Sequence, residues 1–138
     1  MQSTSKEELT DLLRFVERQT AFAIRTTAHV KTYHEFLTSD SAMVLFNSTC
    51  MCLQSIGKAI EQVNDRTGKR FFCLYPEIPW RQIIGMRNII SHEYLSVDPE
   101  LVLNIVKDEL PPLLETMQRI LADIDAGLRD NELTNTNH

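Results

Sequence analysis

Turn-forming residues are scarce, with only four Gly and five Pro among 138 residues. A many-stranded β fold needs such residues at each reversal, so their scarcity favours helices joined by few connections. No run of about 18 apolar residues occurs, so no membrane-spanning helix is expected. Residues 1–8 lack the basic-then-apolar order of a secretory signal, and a cytoplasmic location is expected. Cys50, Cys52 and Cys73 form no Cys-x-x-Cys pair and have no histidine at a ligand spacing. Reduced thiols packed as small hydrophobes are the expectation for all three. No cluster of carboxylates suggests a two-metal site, and neither metal nor cofactor is expected.

The chain is 43% hydrophobic and 24% charged, enough for one domain with one modest core. Its net charge of −5 speaks against a nucleic-acid partner, yet the charge is unevenly spread. Residues 58–87 hold six basic side chains (Lys58, Arg66, Lys69, Arg70, Arg81, Arg87) against three acidic ones, a net of +3. Residues 88–138 hold three basic and ten acidic side chains, a net of −7. On charge alone the basic zone reads as a solvated loop and helix face.

Apolar spacing predicts a first helix from about Lys6 to Phe36, opened by a capping box of Ser5 and Glu8. Thr38 to Ser41 supplies N-cap chemistry for a second helix, from about Ala42 to Val63, which stops near Gly68. The connector Gly68–Ile78 carries Phe71, Phe72, Leu74 and Tyr75, too apolar for a free loop. Pro79 suits the first turn of a third helix, Trp80 to His92, and Asp98-Pro99 starts a fourth. Pro111-Pro112 must kink or restart that helix, because each ring removes a backbone donor. The expected architecture is an all-α bundle of four to five helices over residues 1–128, with a polar tail over 129–138.

On a helical wheel of about 100° per residue, Ile83, Met86, Ile90 and Tyr94 form a core stripe. Arg81, Gly85, Asn88 and His92 share the opposite side, and Arg87 sits at the edge of the apolar stripe. An exposed, uninvolved histidine and a structural arginine ion pair are the bland alternatives for His92 and Arg87. Arg87 and His92 lie about 140° apart on an ideal helix. Both reach one small group only if the helix ends early, the arginine wraps round, or a second subunit completes the site.

The block Tyr75-Pro76-Glu77-Ile78-Pro79-Trp80 followed by Arg87-Asn88-Ile89-Ile90-Ser91-His92-Glu93-Tyr94 resembles the signature of the HepT-like family. These are the HEPN ribonuclease toxins of MNT–HepT toxin–antitoxin systems. Ile105-Val106-Lys107-Asp108-Glu109-Leu110-Pro111 is also similar, and Leu53 to Ala59 is similar to the family's Ile-Gly-Glu-Ala segment. There Lys58 replaces the usual acid. The resemblance covers about residues 45–121.

It implies a HEPN-type homodimer whose Arg87 and His92 line an interfacial cleft and cleave RNA without metal; Asn88, by its place on the His92 stripe, is the expected support for a phosphate or the 2′-hydroxyl. It also implies a cognate MNT-type nucleotidyltransferase antitoxin that transfers AMP onto Tyr94. That role requires an accessible phenol, so the helix is expected to end or distort near His92 to Glu93. Other readings of the same residues are a non-catalytic helical binding or substrate subunit of a minimal nucleotidyltransferase, and a scaffold whose motif has decayed.

Overall fold

The computed structural model describes residues 5–89 and 97–134. Those residues are helical throughout their regular structure, with no strand among them, as the sequence predicts. Helix α1 spans Ser5–Thr26 and α2 spans Asp40–Arg66. Helix α3 covers Trp80–Gly85, α4 Pro99–Asn104, α5 Leu110–Asp125 and α6 Asp130–Thr134. No helix among the described residues is long and apolar enough to cross a membrane.

Three apolar stripes make the core. Leu9, Leu13, Val16 and Ala23 of α1 meet Leu53, Ile56, Ile60 and Val63 of α2, and Leu110, Leu113, Met117 and Ile120 of α5. Their three- and four-residue spacing places each set on one helix face, so burial rather than helix propensity holds the bundle together.

Helix α1 ends ten residues before the expected Phe36. Thr26 and Thr27 donate their hydroxyls to the carbonyls of Phe22 and Ala23, at 2.8 and 2.6 Å, a local bond that competes with helix propagation. A 3₁₀ turn at Tyr33–Leu37 then returns Phe36 to the core, so the apolar pattern outlives the helix. Ser39 caps α2 as expected, accepting from the Ala42 amide at 3.1 Å. Gly68 and Lys69, both with positive φ, end it. Glu8 pairs with Arg66 of α2 at 2.6 Å.

Pro99 opens α4 behind the Asp98 cap, as expected. The double proline is accommodated by a π-helical turn at Ile105–Glu109, where the Leu110 amide reaches back to the Ile105 carbonyl. The wider turn joins α4 to α5 as one continuous rod. The expected polar tail is partly ordered: Arg129 to Thr134 folds back, α6 packs on α1, and Leu133 is fully buried. One apolar residue among polar neighbours carries that docking, which periodicity cannot detect. Cys50 and Cys52 are buried as expected, but Cys73 is exposed, because its 3₁₀ turn turns Phe71 and Phe72 inward instead.

Candidate active site

The first half of the signature block is a clamp. After α2, the 3₁₀ turn Phe71–Leu74 buries Phe71 and Phe72, confirming that the connector folds against the core. Tyr75 is buried and its hydroxyl donates to Asp123 at 2.6 Å, while Arg129 Nε donates to that hydroxyl at 2.9 Å. The guanidinium groups of Arg119 and Arg129 lie over the Tyr75 ring at 5.1 and 5.4 Å. Burial, reinforced by the bond to Asp123, pushes the phenol above its ordinary range. Glu77 pairs with Arg119 and Ile78 is buried. The Trp80 indole donates to the Tyr75 carbonyl at 2.7 Å and stacks on Phe72 at 4.1 Å. Tyr75, Glu77, Ile78 and Trp80 therefore fix where α3 starts.

Helix α3 tightens early. It is α-helical only over Trp80–Gly85, then becomes a 3₁₀ turn at Met86–Asn88. The α-helix expected to His92 is interrupted there, and its last residues, 90–92, lie outside the described residues. Ile83 and Met86 are buried, and Arg81, Gly85 and Asn88 are exposed, as the wheel requires. A Cβ built on Gly85 meets nothing within 4 Å, so the room expected there opens to solvent.

Arg87 is fixed by α2 at two levels. A Cβ built on Gly57 would lie 2.6 Å from the Arg87 amide nitrogen, 2.9 Å from the Ile83 carbonyl oxygen and 3.0 Å from that of Ile84. Only glycine permits this backbone-on-backbone crossing. One turn along α2, the Glu61 carboxylate forms an ion pair with Arg87, with 3.0 Å between Oε1 and Nε. The two side chains are 44% and 33% exposed, so the pair stabilises the fold by only about 0.2–1 kcal/mol. The bland expectation of a paired arginine is therefore met, but with the guanidinium still at the surface.

Gly57 and Glu61 are the site residues that sequence reasoning missed. Their signal was available: a glycine inside a long helix, and an acid four residues on, hence on the same face. Lys58, beside Gly57, is exposed. Within the basic zone, Arg66 and Arg87 are matched by Glu8 and Glu61, while Lys69, Arg70 and Arg81 are exposed. His92 and Tyr94 lie outside the described residues, as does the expected distortion at His92 to Glu93. The structure thus places Arg87 and Asn88 together on one exposed turn.

A family model described as Ribonuclease HepT-like matches residues 7–120. The chain is 29% identical over 101 residues to "Putative RNase MJ1216" of Methanocaldococcus jannaschii, covering 73% of this chain and 77% of that protein. It is 29% identical over 86 residues to "Putative RNase MJ1380" of the same organism, covering 62% and 72%. It is 35% identical over 69 residues to "Probable ribonuclease HepT" of Thermococcus cleftensis, covering 49% and 58%. No solved structure gives a significant match.

Proposed function

The chain belongs to the Ribonuclease HepT-like family, and from that premise we propose that it is an endoribonuclease acting through Arg87 and His92 without a metal ion. The observation that carries this reading is the double anchoring of Arg87, by backbone at Gly57 and by side chain at Glu61, with the guanidinium at the surface. A catalytic cation must be aimed before substrate arrives, and such an anchor does that.

In this mechanism His92 takes the proton from a ribose 2′-hydroxyl, which its unperturbed pKa near neutrality permits. The 2′-oxygen attacks the adjacent phosphorus and the 5′-oxygen leaves with a proton, giving a 2′,3′-cyclic phosphate and a 5′-hydroxyl end. Arg87 stabilises the charge that builds on the phosphorane oxygens, and Asn88, on the same exposed turn, supports phosphate binding. The site is completed in a homodimer. Exposed Met43, Val44 and Met51 on α2 supply an apolar face suited to a second copy.

Control of the toxin falls to Tyr94. Its phenol oxygen attacks the α-phosphorus of ATP on a cognate MNT-type nucleotidyltransferase antitoxin, and pyrophosphate leaves. The added AMP puts negative charge where RNA phosphate would bind.

The test is RNA cleavage by the purified chain in EDTA. Cleavage that is lost in Arg87→Ala and in His92→Ala, with folding retained, is the expected result. Retained cleavage in both variants would sink the mechanism, and a wild-type chain that cuts no RNA would favour the non-catalytic subunit. Intact mass after incubation with the antitoxin and ATP should show one AMP, absent from Tyr94→Phe.

A further inference from the structure

Glu61 brings negative charge to the one place where the proposed reaction needs positive charge. An exposed pair of this kind adds little to stability, and near an RNA phosphate its carboxylate opposes binding by like-charge repulsion. Its geometry suggests what it does instead. Gly57 and Glu61 are four residues apart on α2, so they face the same side. Gly57 receives the backbone of Arg87 and Glu61 receives its Nε, at 3.0 Å.

A carboxylate paired beside Nε differs in effect from one paired at a terminal nitrogen. Nε is the pivot of the guanidinium, and a carboxylate held there restricts rotation of the plane about the last bond of the stem. The ordering of a long side chain, otherwise a cost at the moment of phosphate binding, is then met in the folded protein. The exposed pairs that α1 makes, Lys6–Asp130, Arg14–Asp125 and Arg66–Glu8, tie helices together away from the α2–α3 crossing.

We propose that Glu61 is a positioning residue for Arg87: from α2, its carboxylate sets the direction in which the guanidinium meets the scissile phosphate. The proposal rests on the ribonuclease reading of Arg87. It gives Glu61 opposite effects on the two kinetic constants. Removing the carboxylate lowers turnover, because the guanidinium loses its aim, yet does not weaken RNA binding, because a repulsive charge has gone.

The experiment uses the full-length chain as wild type, Glu61→Gln, Glu61→Ala and Glu8→Gln. The last removes the charge of an exposed pair on the Arg66 side of α2. Steady-state RNA cleavage is read alongside the Arg87 Nε–H resonance in ¹⁵N-labelled protein. Glu61→Ala should shift that resonance and speed its exchange with water. It should lower kcat by about tenfold or more with KM unchanged or reduced, as expected for loss of preorganisation. Glu61→Gln, which keeps an acceptor oxygen, should fall between it and wild type, and Glu8→Gln should match wild type.

Unchanged kcat in Glu61→Ala overturns the proposal, and so does an unmoved Nε–H resonance. A lower KM with full kcat would make Glu61 merely a repulsive charge, and overturns it too. If the wild-type chain cuts no RNA, the ribonuclease reading falls and takes the proposal with it; cleavage undiminished by Glu61→Ala removes the proposal alone.

Discussion

Replacing Gly57 by alanine should destabilise this protein, although glycine to alanine inside a helix ordinarily does the opposite. On propensity alone the substitution gains about 1 kcal/mol. Here the new methyl would meet the Arg87 amide nitrogen at 2.6 Å and two α3 carbonyl oxygens at 2.9 and 3.0 Å. All three are backbone atoms, so no side chain can swing aside. Relief to an ordinary contact of 3.4 Å requires α2 and α3 to part by about 0.8 Å. Overpacking of this kind costs about 1–3 kcal/mol, which outweighs the propensity gain by up to about 2 kcal/mol. For a domain of this length that is a Tm loss of roughly 3–8 °C.

Gly85→Ala is the matched control. Its Cβ has open space and its φ of −61° suits any residue, so the propensity term stands alone and Tm should rise by a few degrees. Both variants are followed by thermal and urea unfolding at one protein concentration. Because a displacement near 1 Å is enough to spoil a preorganised site, Gly57→Ala should also lose about tenfold or more in RNA cleavage. A Gly57→Ala protein as stable as Gly85→Ala would refute the close crossing, and with it the anchoring of Arg87.

Leu133→Ala should cost about 2–4 kcal/mol, since Leu133 is fully buried; a loss under 0.5 kcal/mol in urea unfolding would return the segment to a free tail. The raised Tyr75 phenol holds its proton in the folded state at pH values where the unfolded chain has lost it. That stability is complete below the ordinary phenol pKa of 10.0 and is lost as pH rises through the higher folded value. The fall in stability above pH 10 should therefore be shallower in Tyr75→Phe, and equal slopes would count against the Asp123–Arg129 setting of the hydroxyl. Burial pushes the Cys50 thiol from 9.0 up to about 11 and raises Cys52 as well. An aromatic disulfide reagent at neutral pH should thus label Cys73 rapidly and the other two only on unfolding; three fast thiols would contradict the packing of α2.

What could be read in the sequence was local. The α2 stripe, the Ser39 and Asp98 caps and the inward-folding connector each follow from residues within one or two turns of one another. The end of α1 was hidden because a 3₁₀ turn continues to deliver apolar residues inward after the helix has stopped. The early tightening of α3 was hidden because a change from about 100° to about 120° per residue scarcely alters which side chains are buried over three residues. The signature block was recognised as a unit, yet its halves do different things. Tyr75, Glu77 and Trp80 hold the start of α3 in place, and Arg87 stands beyond them at the surface. The Glu61–Arg87 pair joins residues far apart in sequence, which no window of periodicity spans. Lys58, where the resemblance leads one to expect an acid, is exposed beside Gly57, while a carboxylate for Arg87 comes from Glu61 on the next turn.

The crossing at Gly57 also decides how motion travels. Side chains between two helices act as a soft layer, able to change rotamer and absorb a shift. Between α2 and the Arg87 amide there is no such layer. Helix α2 is a 27-residue rod with Met43, Val44 and Met51 exposed along its first half and Gly57 and Glu61 in its second. The apolar surface and the arginine are thus mounted on one stiff beam, and whatever tilts the first half of that beam passes the tilt on to Arg87 undamped.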